Sequence, residues 1–277
     1  MPFSTATAAS SPKSSDRAVE AAVELRGVSK RFYYYEHRTS SLREWFIRRI
    51  LHRPLNVRRA EFTLRSFDLR VGHGEAVALI GSNGSGKSTA LRLIAGIYQP
   101  SSGSVRTCGR LTAVIELGAG FHPELTGADN VALYAAVLGL GRRELMARFD
   151  EVVDFAEMRE FMDTPLKYYS SGMEARLAFS VAVCLQPDVL LLDEVLAVGD
   201  QAFRERCLAR LRAYHAAGGT LILVSHEVDQ VRELCSRAVW LEQGVMRMDG
   251  DVDQVLAAYR ANDSPDRREE PRDRIVR

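Results

Sequence analysis

The sequence predicts an α/β fold on a mainly parallel sheet, with an antiparallel β portion beside it and a helical lobe inserted into it. Three observations carry this. Short apolar runs rich in Val, Ile and Leu recur at 76–80, 111–117, 189–192 and 220–224, separated by helical patterns, as buried parallel strands require. Phe67, Leu69 and Val71 alternate with Asp68 and Arg70 ahead of Gly72-His73-Gly74, the period of a half-exposed antiparallel strand and its turn. From 126 to 162, Leu133, Val137, Leu145, Phe149, Val152 and Val153 recur at helical spacing with no convincing strand, which makes this stretch the lobe. Ala238 to Asp249, centred on Gln243-Gly244, reads as a late hairpin.

Composition bounds the function. The 277 residues are 46% hydrophobic and 26% charged, enough for a full core. Lys+Arg of 37 against Asp+Glu of 36 leaves a net charge of +1, which supplies no global field for nucleic acid or acidic lipid. Cys108, Cys184, Cys207 and Cys235 stand singly, without metal-site spacing, and read as buried small apolar residues of a reducing compartment. The N-terminus has no apolar signal core, and no stretch approaches the ~18 apolar residues of a membrane span. A cytoplasmic chain is expected. Residues 1–19 and the charged 262–277 read as disordered tails around one domain at 20–261.

The chemistry starts at Gly81-Ser82-Asn83-Gly84-Ser85-Gly86-Lys87-Ser88-Thr89, after the buried strand Val77 to Ile80 and before the helix pattern Ala90 to Ile94. Its glycines let backbone N–H groups turn inward around a polyphosphate at a helix N-terminus. Lys87 then reaches the β and γ phosphates, and the Ser88 hydroxyl ligates Mg²⁺. Val189-Leu190-Leu191-Leu192-Asp193-Glu194 ends a buried strand on two acids. Asp193 would hold Mg²⁺ through water and Glu194 would polarise a water for in-line attack on the γ phosphate. No Asn-Lys-x-Asp guanine-reading segment accompanies the loop, which disfavours Ras-like GTPases.

Tyr169-Ser170-Ser171-Gly172-Met173 opens the helix pattern Glu174 to Leu185, with Gly172 standing 21 residues before Asp193. At this spacing the sequence resembles ABC-transporter nucleotide-binding domains, from about residue 22 to 260. The resemblance implies an ABC-type ATPase core binding ATP and Mg²⁺, with a helical subdomain at 121–165. It further implies that Ser170, Ser171, Gly172 and Met173 contact the γ phosphate held by a second copy. His226, in Leu223-Val224-Ser225-His226, matches the switch histidine that holds the attacking water. Asp200, in Ala197-Val198-Gly199-Asp200, matches the D-loop near the dimer seam. Phe32 falls where the family stacks an aromatic on adenine, with Tyr33 and Tyr34 as rivals.

The departures narrow the branch. Glu116 stands where the family has the Q-loop glutamine, and the signature ends in Met173. These variants resemble exporters of O-antigen, capsule and teichoic acid. They imply a homodimer, two copies of a membrane-spanning permease, a lipid-linked glycan handled mainly by that permease, and a place on the cytoplasmic face of the inner membrane. Glu116 either adds a second carboxylate to the metal or repels the γ phosphate. The segment 33–63 reads as an insertion: Glu36 to Glu61 holds seven Arg and three Glu, and Ser41-Leu42-Arg43-Glu44 opens a candidate gate helix with Trp45, Phe46 and Ile50. Two rivals are a soluble ABC ATPase without a channel partner and an adaptor that binds ATP without cleaving it. The presence of Lys87, Asp193, Glu194 and His226 together opposes the adaptor.

Overall fold

The computed structural model describes residues 21–35, 58–115, 117–195 and 199–262. A six-stranded sheet forms the centre: β3 (Ala76–Ile80), β5 (Leu111–Val114), β6 (Val189–Asp193), β7 (Thr220–Val224), β8 (Arg237–Glu242) and β9 (Val245–Asp251). Its order is β5-β6-β7-β3-β8-β9, parallel except for the β8–β9 hairpin. Beside it lies an antiparallel sheet of order β2-β1-β4, made from β1 (Ala21–Tyr35), β2 (Arg58–Gly72) and β4 (Ser102–Thr107).

Strand alternation explains why the central runs are apolar throughout. Ala76, Ala78 and Ile80 of β3 enter one core with Leu190, Leu192, Leu221 and Leu223, while Val77 and Leu79 enter a second with Val189, Leu191, Ile222 and Val224. Both faces of the sheet are covered, so neither parity of residue meets water. The second core is closed by β1 and β2, where Phe67, Leu69 and Val71 are buried and Asp68 and Arg70 are exposed.

Seven helices are described: α1 (Lys87–Ile94), α2 (Gly127–Val137), α3 (Arg142–Ala156), α4 (Ser171–Cys184), α5 (Gln201–Ala216), α6 (Val228–Leu234) and α7 (Val252–Asn262). The lobe is α2 and α3 with two short 3₁₀ turns, as expected. Its buried stripe differs on α2, where Val131, Tyr134 and Ala135 are buried while Leu133 and Val137 are exposed. Both faces of α2 are apolar, because Val137 lines an open cleft with Ile97 and Ile115, so hydrophobicity alone does not select the inward side. On α3 the stripe holds at Leu145, Val152 and Val153.

Three further expectations change. Strand β5 is shorter than the 111–117 run. The flanks of the supposed insertion at 33–63 belong to the sheet, with Tyr35 paired to Arg58 and Tyr33 to Ala60. Cys184, Cys207 and Cys235 are buried and free, with thiols pushed up to about 12 by burial, but Cys108 is only half-buried. The gate-helix residues Ser41 to Arg53, Glu116, Ala197, Val198 and both tails lie outside the described residues.

Candidate nucleotide site

Parallel strands β3, β7 and β6 are neighbours, so their C-terminal ends share one edge, where α/β sheets gather their ligands. The loop 81–86 leaves β3 there and starts α1. Gly86 caps that helix at φ 109°, and a Cβ on it would lie 2.6 Å from the Thr63 carbonyl oxygen. Only glycine permits this approach to β2. Lys87 Nζ donates to the carbonyls of Gly81 at 2.8 Å and Ser82 at 3.1 Å, so its stem lies along the inside of the loop.

The opposite wall comes from β6. A cleft of about 350 Å³ is lined by Thr63, Asn83, Gly84, Lys87, Ser88, Asp193 and Glu194, together with Gly86 and Thr89. Burial pushes the Asp193 carboxyl up from its ordinary range, against the downward pull of a hydrogen bond from Ser88. Burial likewise pushes the Lys87 ammonium down, against the carboxylates of Glu194 and Asp193 that favour its charge. Each buried charge is therefore partly compensated by another. Glu194 takes a left-handed φ of 54° and donates its backbone N–H to the Val224 carbonyl at 2.9 Å. That bond stitches the ends of β6 and β7 together and brings His226 within 3.6 Å of the Glu194 carboxylate.

The donor set fits Mg²⁺. Ser88 and Asp193 offer hard oxygens in contact with one another, the ligand type this ion takes, and it normally completes its octahedron with phosphates and water. Among the described residues no group of three or more His, Cys, Asp or Glu is placed to hold a metal.

The remaining candidates lie elsewhere. Ser170 caps α4, accepting from the Met173 N–H at 3.2 Å, and none of Ser170, Ser171, Gly172 and Met173 lines the cleft. The segment before them is tied to 122–127: Leu166 N–H donates to the Leu125 carbonyl and Lys167 N–H to that of Pro123, both at 2.9 Å. Buried Asn130 fixes that partner segment, with its amide nitrogen donating to the carbonyls of His122, Leu125 and Thr126. Asp200 caps α5 through the Phe203 N–H at 2.9 Å. Phe32 packs edge-on against Tyr98 at 5.4 Å, and Lys30 Nζ lies over both rings. Tyr33 is exposed, and the Tyr34 side chain lies outside the described residues. Sequence reasoning missed Thr63, which meets Gly86 through its backbone, and Tyr98, whose pairing with Phe32 is visible only in the fold.

Residues 64–197 match the family described as ABC transporter. The chain is 40% identical to the O-antigen export system ATP-binding protein RfbB of Klebsiella pneumoniae over 87% of its own length and 98% of that protein's. The chain belongs to the ABC transporter family. This ABC protein is also 35% identical to the teichoic acids export ATP-binding protein TagH of Staphylococcus haemolyticus, over 86% of the chain and 87% of the relative. Among solved structures it superposes on the ATP-binding cassette MJ0796 bound to ADP and Pi, with TM-score 0.66 and 21% identity over 83% of this chain and 98% of that one. That likeness establishes the cassette fold. No helix among the described residues of the ABC protein is long and apolar enough to cross a membrane.

Proposed function

We propose that the chain is the ATP-binding and ATP-hydrolysing subunit of an exporter that moves a lipid-linked polysaccharide or glycolipid across the bacterial inner membrane. The match to an O-antigen export ATP-binding protein over 98% of that protein's length carries the reading. The convergence of loop, two carboxylates and histidine at one sheet edge supports the hydrolytic part.

In this reading the N–H groups between Ser82 and Thr89 cradle the ATP phosphates at the start of α1, with Gly81 and Gly84 giving the loop its turn. Lys87 exchanges the carbonyls of Gly81 and Ser82 for β and γ phosphate oxygens. Ser88 and Asp193 would hold Mg²⁺, which when bound neutralises charge on those oxygens. Glu194 accepts the proton of the attacking water, and His226 holds that water and the γ phosphate in line. Phe32 stacks on adenine. Ser170, Ser171, Gly172 and Met173 act on the ATP of a second copy, with Asp200 at the seam between copies. Glu116 would border the metal, and the segment Ser41 to Arg53 would meet the mouth of a membrane-spanning permease present in two copies. The ATPase would then sit at the cytoplasmic face of the inner membrane, as a domain spanning 20–261 with its helical subdomain at 121–165.

The deciding experiment deletes the protein and examines undecaprenyl-type lipid-linked glycans by mass spectrometry. Intracellular accumulation is expected. An unchanged glycan pool would remove the exporter reading, and the soluble ABC ATPase would replace it.

A further inference from the structure

The late hairpin does more than end the sheet. Gly244, in the β8–β9 turn, does not line the cleft, yet it is bonded to the phosphate loop and to β2. Its N–H donates to the Ser85 carbonyl at 2.9 Å, and its own carbonyl accepts from the Arg65 N–H at 2.8 Å. It sits at φ 78°, and a Cβ there would lie 2.6 Å from the Thr63 carbonyl oxygen. The end of β8 presses closer still, since a Cβ on Gly81 would collide with the Leu241 carbonyl oxygen. The loop thus lies against the backbone of β8 and β2, and the hairpin turn is bonded to it through Ser85.

The bond to Ser85 has a directional effect. The Ser85 carbonyl and the Gly86 N–H share one planar trans peptide and point to opposite sides. Holding the carbonyl toward Gly244 turns the Gly86 N–H away from the hairpin, and Gly86 lines the cleft. We propose that Gly244 is a positioning residue for the phosphate loop, orienting the Gly86 N–H toward a bound phosphate. This rests on the reading that the loop holds the phosphates of ATP. Any side chain on Gly244 must displace the β2 carbonyl or the loop, and the glycine conformation itself disfavours an L residue.

The test compares Gly244→Ala with Gln243→Gly in the full chain by equilibrium MgATP titration and phosphate release. Gln243 shares the turn at φ 49°, does not line the cleft, and its side chain makes no hydrogen bond among the described residues, so its replacement by glycine should leave MgATP affinity unchanged. Gly244→Ala should raise the MgATP Kd at least about tenfold and act on KM more than on kcat, because a misplaced donor weakens the cradle. Were Gly244 only closing the turn, the variant would melt earlier while its folded fraction bound MgATP as the wild type does, and that result would overturn the proposal. A second measurement needs no variant: MgATP should slow hydrogen exchange at the Gly244 amide of the wild-type chain, by linkage between binding and the bonded geometry. Unchanged exchange there with MgATP bound would overturn it equally. Wild-type chain that fails to bind MgATP would instead remove the nucleotide reading, and this inference with it.

Discussion

His226 Nδ1 lies 3.6 Å from Glu194 Oε1, across the adjoining ends of β7 and β6. The separation is longer than a direct hydrogen bond, so the two groups face a shared space without bonding to each other. The backbone bond from Glu194 to Val224 holds the two strand ends, and so the two residues, side by side without help from either side chain.

The first prediction uses this independence. Glu194→Gln keeps the shape and the backbone bond but removes the base, so phosphate release should slow by roughly 10²–10⁴ while MgATP affinity is retained. His226→Ala should act on the same step. The double variant should then be little slower than the slower single one, as residues working on one water are not additive. Rate losses that multiply would show that the two do not share a reacting water. Lys87→Ala should differ from both by weakening MgATP binding itself.

A second prediction concerns stability. Burial holds the Asp193 carboxyl above its ordinary range, outweighing the Ser88 hydrogen bond and the charges of Arg92 and Lys87. A carboxyl with a higher pKa folded than unfolded destabilises when ionised, and the cost is relieved as pH falls through the folded pKa. Asp193→Asn removes it. The variant should melt above wild type near neutral pH without nucleotide, a gap that closes on acidification. It should also lose Mg²⁺-dependent phosphate release. A lower melting point would show that the attraction to Lys87 outweighs desolvation.

A third prediction tests sharing of sites between copies. Ser85 is buried, so a cysteine there is shielded, whereas Asn83 and Ser171 are exposed. With Cys108 replaced by Ser, the remaining native thiols are buried. Asn83→Cys and Ser171→Cys placed in one chain should give a covalent dimer by short cross-linker when MgATP is present, read on a denaturing gel. Linkage confined within single chains would refute the two-copy sandwich.

The site was legible where its chemistry is contiguous. Gly81 to Thr89, Asp193-Glu194 and Ser225-His226 each follow a strand that is apolar on both faces, so motif and strand confirm each other in the text. Two kinds of feature escaped. Where both sides of a helix are apolar, as on α2, the period that would separate Leu133 and Val137 from Val131 and Tyr134 is lost. Where a residue acts through its backbone across the fold, as Thr63 and Gly244 do, its side-chain type carries no signal beyond the glycine itself.

The last prediction concerns the lobe. Glu157 ends α3 in a left-handed conformation at φ 57°, which costs a non-glycine residue about 1 kcal/mol. Its carboxylate compensates by pairing with Arg206 of α5 and Arg176 of α4, whose guanidinium groups both lie over the Phe203 ring. The bond from Arg206, before that from Arg176, holds the carboxyl below its ordinary range. The lowered pKa means stability that is present above the unfolded value and lost as pH falls through the folded one. Because the Glu157 side chain is 54% exposed, the pairs contribute under about 1 kcal/mol. Glu157→Gln should therefore destabilise slightly in urea titrations at neutral pH and low salt. The deficit should shrink in about 1 M salt and on acidification below the ordinary carboxylate range. Glu157→Gly loses the same pairs but also the backbone cost, so it should be at least as stable as the Gln variant at every pH. A Gly variant less stable than the Gln variant would mean that the left-handed turn carries no strain, and a salt-independent deficit would mean that Glu157 acts by packing rather than by charge.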